Sequence, residues 1–171
     1  VAMNNLSTHD TPRAMTALCG ENPYSTDRYW QSKRFLTAEK YIRAQKLIVC
    51  GFALLFTLLG LPCIYYGDEI GMQGYRDPFN RGSFPWGEEN EELALWFRQL
   101  GAVRASCDAF REGIFHKVYK ENGVVVFERR GQTDKVCCAV NPTDSSVAIP
   151  LNSGFWEICV GEGKIDGHFL H

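Results

Sequence analysis

Apolar residues recur at helical spacing between residues 36 and 59, and this period predicts an amphipathic helix. Thr37 is placed to cap its first turn, and Gly60 followed by Pro62 ends it. The apolar run at 47–61 is shorter than the ~20 residues of a membrane span. The pattern therefore favours a helix buried in protein over a helix in a bilayer.

A short strand is predicted directly after this helix, at 63–66, where β-favouring residues are followed by a glycine. A helix followed by a short buried strand is the repeat of an α/β fold. Residues 70–90 are irregular and rich in Gly, Pro and aromatic residues, and a loop of that length in a compact domain usually has a function. A second helix is predicted over 90–106, with Asn90 as its cap.

From about residue 110 the pattern changes to short β-favouring runs separated by turn residues such as Asn122-Gly123. The predicted strands lie in FHKVY, VVVFERR, KVCCAV, SVAIP and WEICV. Closely spaced turns of this kind are typical of an antiparallel β domain. The chain is therefore predicted to be α/β over 1–108 and all-β over 109–171.

Charge and cysteine content narrow the class of protein. Eighteen Lys and Arg against 20 Asp and Glu give a net charge of -2, which excludes the basic surface of a nucleic-acid-binding protein. The seven cysteines form no CxxC pair and have no metal-ligand spacing to histidine, so they indicate buried apolar residues in a reducing compartment. We expect a cytoplasmic protein with neither a nucleic acid nor a membrane as partner.

Three polar clusters lie at or just beyond predicted strand ends: His9-Asp10, Asp68-Glu69, and Asp77 with Arg81. In a barrel-like α/β fold the C-terminal strand ends and the loops after them carry the active site, so the clusters are expected to converge. Adjacent side chains at a strand end diverge, so Asp68 and Glu69 are interpreted as bracing the loop rather than as an acid and base pair. A functional role is favoured for His9 beside Asp10.

Two of these segments resemble a known family. LSTHDTPR at 6–13 and GLPCIYYGDEIGMQGYRDPFNRGSFPW at 60–86 resemble the late part of the catalytic barrel in the α-amylase superfamily of glycoside hydrolases. Within that superfamily the chain is most similar to the neopullulanase, cyclomaltodextrinase and maltogenic amylase group. The resemblance implies the last two βα units of a (β/α)8 TIM barrel followed by a C-terminal antiparallel β-sandwich, in a bacterial-type enzyme.

The resemblance also implies roles for particular residues. Asp10 would be the third catalytic carboxylate, a transition-state stabiliser, and His9 would donate a hydrogen bond to the same sugar. Asp77 and Arg81 would hold the neighbouring sugar. Stacking faces for sugar rings are expected from Tyr75, Phe79 and Trp86, although packing is an equally good interpretation of each. The nucleophile and the general acid would lie upstream of this chain.

The expected function is therefore that of a C-terminal fragment of a retaining α-glucan hydrolase. Its substrates would be maltodextrins, cyclodextrins or pullulan, cut at α-1,4 bonds with α-1,6 bonds as a second option, without metal or cofactor. A homodimeric parent enzyme is compatible with the resemblance. The alternative is a non-catalytic sugar-binding or assembly relative. The fragment alone is predicted to be inactive, with Ile48, Phe52, Leu55 and Leu59 exposed to water.

Overall fold

A computed structural model of the chain describes residues 2–171. Its helices are α1 (Ala14–Leu18), α2 (Arg28–Ser32), α3 (Ala38–Thr57) and α4 (Glu91–Ser106). Its strands are β1 (Met3–Asn4), β2 (Leu61–Pro62), β3 (Ile114–Glu121), β4 (Val124–Arg130), β5 (Lys135–Val140), β6 (Ile149–Pro150), β7 (Ile165–Asp166) and β8 (Phe169–Leu170). Short 3₁₀ helices lie at Asp68–Ile70, Phe79–Arg81 and Asp108–Phe110.

The chain divides into two compact units. The first holds the residues up to Leu55 together with Gly60–Phe97, and the second holds Phe56–Leu59 together with Arg98–His171. The first unit is α/β and the second contains only antiparallel sheets. None of the helices formed by residues 2–171 has both the length and the apolar character of a membrane span.

Both long helices begin where the sequence predicts. The Lys40 N–H donates to Thr37 Oγ1 at 3.4 Å ahead of α3, and the Leu93 N–H donates to Asn90 Oδ1 at 3.0 Å ahead of α4. Each side-chain oxygen satisfies one of the N–H groups that a helix start leaves without an intrahelical partner. Both predicted caps are thus confirmed.

The apolar face of α3 is buried, contrary to expectation. Ile48 and Phe52 are fully buried and Leu55 is 4% exposed, whereas Leu59 is 61% exposed. The Phe52 ring meets the Phe97 ring of α4 edge-on, with centroids 4.8 Å apart. The prediction of an uncovered face was wrong for the first three residues, and the Phe97 ring supplies one of the contacts that cover Phe52.

The parallel sheet of the first unit is shorter than predicted. Strands β1 and β2 pair Met3 with Leu61, and the Cys63 N–H donates to Asn4 O at 2.8 Å. The strand predicted over 63–66 is wrong, since the observed strand ends at Pro62. The partner strand β1 ends at Asn4. Residues 63–66 favour β structure, but β1 does not extend far enough to pair with them.

The second unit contains a three-stranded sheet, ordered β3-β4-β5, and a smaller one, ordered β6-β8-β7. Asn122 (φ 51°) and Gly123 (φ 83°) connect β3 to β4 with the positive φ values of a two-residue hairpin turn. The strand predicted at WEICV is wrong. There the Trp156 Nε1–H donates to Asn152 O at 2.9 Å and Lys135 lies 4.4 Å from the ring centre, so side-chain contacts hold this segment.

Two arginines bind the end of α3. Arg129, only 1% exposed, donates to Thr57 O at 3.0 Å and to Gly113 O at 3.0 Å. Arg104 donates to Phe56 O. The last carbonyls of a helix lack intrahelical donors and carry partial negative charge, which a guanidinium neutralises. The final turn of α3 is therefore built into the second unit.

Candidate functional site

A tight turn presents the His9-Asp10 pair. The Thr8 N–H donates to Thr11 Oγ1 at 2.8 Å, and the Asp10 N–H donates to Thr8 Oγ1 at 3.2 Å. Threonine hydroxyls that bond nearby backbone groups in this way favour turns over helix or strand. The His9 and Asp10 side chains lie at the tip, 67% and 71% exposed, with His9 Nε2 3.2 Å from Asp10 Oδ2.

The loop after β2 brings Arg81 to this turn. Arg81 Nε lies 2.9 Å from Asp77 Oδ1, and Arg81 Nη2 lies 3.6 Å from Asp10 Oδ1. Arg81 Nε also donates to His9 O at 3.1 Å. We call His9, Asp10, Asp77 and Arg81 the polar cluster. An exposed ion pair contributes at most about 1 kcal/mol to the free energy of folding. Folding stability therefore does not explain why these four exposed side chains lie together.

A buried amide lies beneath the polar cluster. Asn80 is fully buried, and its Nδ2 donates to His9 O at 2.8 Å and to Thr11 O at 2.7 Å. Sequence reasoning did not single it out, although it lies between Asp77 and Arg81 in DPFNR. A lone asparagine in a loop rich in Gly and Pro is ordinarily a turn residue, and nothing in its spacing indicates burial.

A buried ion pair links the segment after the His9-Asp10 turn to the loop after β2. Arg13 and Asp68 are both fully buried, with Nη1 3.8 Å from Oδ1. Ser7 Oγ donates to Asp68, and Arg13 donates to Tyr66 O while lying over the Tyr65 and Tyr66 rings. Burial raises the pKa of Asp68 to about 6, although the Ser7 hydrogen bond and the Arg13 charge oppose the rise. The interpretation of Asp68 as a brace agrees with this placement.

The aromatic candidates separate into buried and exposed. Tyr75 is 2% exposed, its hydroxyl donates to Glu21, and its ring meets Trp30 edge-on at 5.4 Å. It offers no face to a sugar and packs instead, which is the alternative that the sequence left open. Trp86 is 82% exposed and lies 4.5 Å from the Phe84 ring. Trp86 thus remains a candidate stacking face and Tyr75 does not.

Within residues 2–171 no three His, Cys, Asp or Glu side chains are grouped so that they could hold a metal ion. The polar cluster itself supplies two carboxylates, one imidazole and one guanidinium, a set that suits hydrogen bonding to hydroxyl groups.

Comparisons with known proteins identify relatives of the chain. No family model matches it. Amylopullulanase from Thermoanaerobacter thermohydrosulfuricus is 32% identical over 152 residues, which cover 89% of this chain and 10% of that protein. Cyclomaltodextrinase from Geobacillus thermopakistaniensis is 33% identical over 154 residues, 88% of this chain and 22% of that protein. The chain therefore spans well under a third of the length of these relatives.

Solved structures agree with the sequence relatives. The debranching enzyme from Nostoc punctiforme superposes with a TM-score of 0.72 at 28% identity, over 98% of this chain and 32% of that one. An Anoxybacillus α-amylase superposes with a TM-score of 0.71 over 98% of this chain and 34% of that one, and at 21% identity it supports the fold alone.

These relatives are glycoside hydrolases of the α-amylase family, and the chain is homologous to part of them. Within the family the named relatives are amylopullulanases, cyclomaltodextrinases and a maltogenic α-amylase. The resemblance seen in LSTHDTPR and in the 60–86 segment is thereby confirmed. The roles of individual residues remain predictions.

Proposed function

We propose that this chain forms part of an enzyme that hydrolyses α-1,4-glucosidic bonds in maltodextrins, cyclodextrins or pullulan, with α-1,6 bonds as a second target. One observation carries the proposal. His9 and Asp10 meet Asp77 and Arg81, about 70 residues further along the chain, in one exposed polar cluster, and the relatives are α-glucan hydrolases. We assign residues 1–108 to the end of a (β/α)8 barrel and residues 109–171 to a β-sandwich.

In this proposal Asp10 stabilises the transition state. Arg81 approaches its Oδ1 and His9 approaches its Oδ2, so the carboxylate is oriented before substrate arrives. Glycoside hydrolysis passes through a sugar ring with developing positive charge, and hydrogen bonds from ring hydroxyls to a fixed carboxylate strengthen as that charge grows. Because the group is preorganised, it need not reorganise during the reaction. The His9 imidazole provides a further polar contact for the same sugar.

The other half of the polar cluster would bind the neighbouring sugar. Asp77 accepts from sugar hydroxyls, and the planar Arg81 guanidinium presents several donors in a fixed geometry. The exposed Trp86 ring is available for a sugar face in the same loop, because aromatic rings combine apolar area with low conformational entropy. These contacts lie away from the bond that breaks, so they serve chain binding.

Asp77→Ala tests this assignment. Asp77 is a better choice than Arg81, because Arg81 also contacts Asp10 and its loss would disturb both halves of the polar cluster. We expect kcat/KM for maltoheptaose to fall about tenfold, the scale of one lost hydrogen bond to a charged group. The loss should be smaller for the shortest cleavable maltooligosaccharide, because that substrate does not need the neighbouring position. Steady-state kinetics across chain lengths measure it. Asp144→Asn, an exposed carboxylate of the second unit, is the control, and an equal loss at every length would contradict the assignment.

The 171-residue chain by itself is expected to hydrolyse no α-glucan. A retaining glycosidase needs two carboxyl groups about 5–5.5 Å apart, one to attack and one to donate a proton. The polar cluster contains Asp10 and Asp77, to which the resemblance gives neither role. Incubation with maltoheptaose, β-cyclodextrin and pullulan checks this. Glucose or maltose release that Asp10→Asn abolishes would refute the expectation.

A further inference from the structure

We infer that Asn80 is a positioning residue that holds the catalytic His9-Asp10 turn against the loop that carries Asp77 and Arg81. The inference rests on the proposed function, because it assigns Asn80 a role in the same reaction. The Asn80 amide donates to backbone carbonyls and not to the Asp10 carboxylate. It acts through the backbone on either side of Asp10.

The geometry of the amide carries the inference. The Nδ2 group has two hydrogens, and its two acceptors are the carbonyls of His9 at 2.8 Å and Thr11 at 2.7 Å. These carbonyls precede and follow Asp10 in the chain. The backbone of Asp10 is therefore fixed on both sides by one rigid planar group that is fully shielded from water.

The threonine bonds of the turn cannot do this. Thr8 and Thr11 bond each other and the Asp10 N–H, so they define the shape of the turn but attach it to nothing outside it. Asn80 belongs to the 3₁₀ helix Phe79–Arg81 and connects the turn to that helix. Arg81 adds a bond to His9 O at 3.1 Å from the solvent side. Asn80 thus contributes two buried hydrogen bonds to the link between the two halves of the polar cluster.

Asn80 is itself held in place by close packing of its loop. Tyr65 Oη donates to Asn80 O at 3.5 Å and Tyr66 Oη donates to Gly82 O at 2.8 Å. A Cβ on Gly74 would lie 2.4 Å from Phe79 O and 2.9 Å from Asn80 Cα, so the neighbouring backbone approaches as closely as glycine allows. Because its loop is closely packed, the Asn80 amide can hold the backbone of the His9-Asp10 turn in a fixed position.

A stability measurement alone does not distinguish a positioning role for Asn80 from a purely structural one. A comparison with Gln31 distinguishes them. Gln31 is 2% exposed, and its Nε2 donates to Pro23 O at 2.9 Å and Thr26 O at 2.9 Å. It is a buried amide that bonds two backbone carbonyls, as Asn80 is, but its acceptors lie in a different loop. Gln31→Ala is therefore the matched control for Asn80→Ala.

The experiment uses the purified enzyme that contains this chain, with maltoheptaose as substrate. Asn80→Ala is expected to lower kcat roughly 10²-fold while KM changes less than about threefold, because displacement of a catalytic group by about 1 Å has that effect on rate. Hydrogen exchange of the peptide covering 7–13 should become faster. Gln31→Ala should lower the melting temperature comparably, yet keep kcat within about twofold and leave that peptide unchanged.

Two results would overturn the inference: Asn80→Ala with kcat within about twofold of wild type, or Gln31→Ala with an equal loss of kcat. If Asn80→Ala does not fold, Asn80→Ser, which keeps one donor, should lose kcat about tenfold, and an unchanged kcat there is equally fatal. Full activity of Asp10→Asn would remove the catalytic role of Asp10, and a wild-type enzyme that leaves maltoheptaose, β-cyclodextrin and pullulan intact would remove the proposed function itself. An inactive Asp10→Asn beside a normal Asn80→Ala would remove this inference alone.

Discussion

Asp10→Asn in the enzyme that contains this chain is expected to lower kcat at least about 10²-fold, the cost of removing one preorganised transition-state contact. The substitution keeps the shape of the side chain and removes its negative charge. It also turns an NH₂ group toward either His9 Nε2, 3.2 Å from Oδ2, or Arg81 Nη2, 3.6 Å from Oδ1. KM should change much less, since the contact strengthens mainly as charge develops on the sugar.

Steady-state kinetics with maltoheptaose decide this prediction. Asp144→Asn makes the same chemical change at an exposed position in the second unit and should leave kcat unaltered. A kcat for Asp10→Asn near that of wild type would exclude Asp10 from the catalytic set. The family relationship would stand, because it depends on sequence and fold.

Arg13→Met is expected to destabilise the chain by about 3–5 kcal/mol at pH 8, the cost of removing one partner from a buried ion pair. Methionine keeps much of the packing against the Tyr65 and Tyr66 rings, but it leaves Asp68 buried without a positive neighbour. The surface variant Arg43→Met removes the same charge from α3 and should cost little. Denaturant unfolding of each variant measures the difference.

The same variant should lose less stability at pH 5. The pKa of Asp68 is already raised to about 6 from its ordinary 3.8, so at pH 5 the folded protein holds this carboxyl mainly protonated. Without Arg13 the folded pKa rises further. A raised carboxyl pKa means that the folded state binds more protons than the unfolded state, so stability is lost as pH rises through this window. An equal loss at pH 5 and pH 8 would show that the Arg13 charge does not stabilise ionised Asp68.

The sequence predicted the long elements well, including β4 and β5, and the short ones poorly, since it indicated neither α1 nor α2. Helices α3 and α4 are long, periodic and capped by local residues, Thr37 and Asn90, so most of their determinants lie within the segment itself. Strands β2, β7 and β8 have two residues each, and their existence depends on a partner elsewhere in the chain. The β-favouring run at 156–160 has no ladder partner among the described residues and remains irregular.

For the site, the sequence identified the exposed residues but not the burial of the residues that support them. The residues of the polar cluster are exposed and lie in segments whose likeness to a family is visible, so the sequence identified all four. The burial of Asn80, Arg13 and Asp68 was not predicted, although Asp68 was interpreted as a brace. Burial of a polar side chain depends on what folds over it, and the sequence does not show that a charged residue is paired in the interior rather than solvated.

The arginines at the end of α3 set a limit on how the β region can be exchanged between enzymes during evolution. Residues 98–171 moved to another protein without Phe56–Leu59 would arrive with Arg129 buried and one of its acceptors, Thr57 O, left behind. Arg104 would lose Phe56 O in the same event. A buried charged donor without its acceptor is costly, so a crossover between the end of α3 and residue 98 is disfavoured. The heritable module is therefore discontinuous, and a crossover that preserves it must keep the last turn of α3 together with the strands.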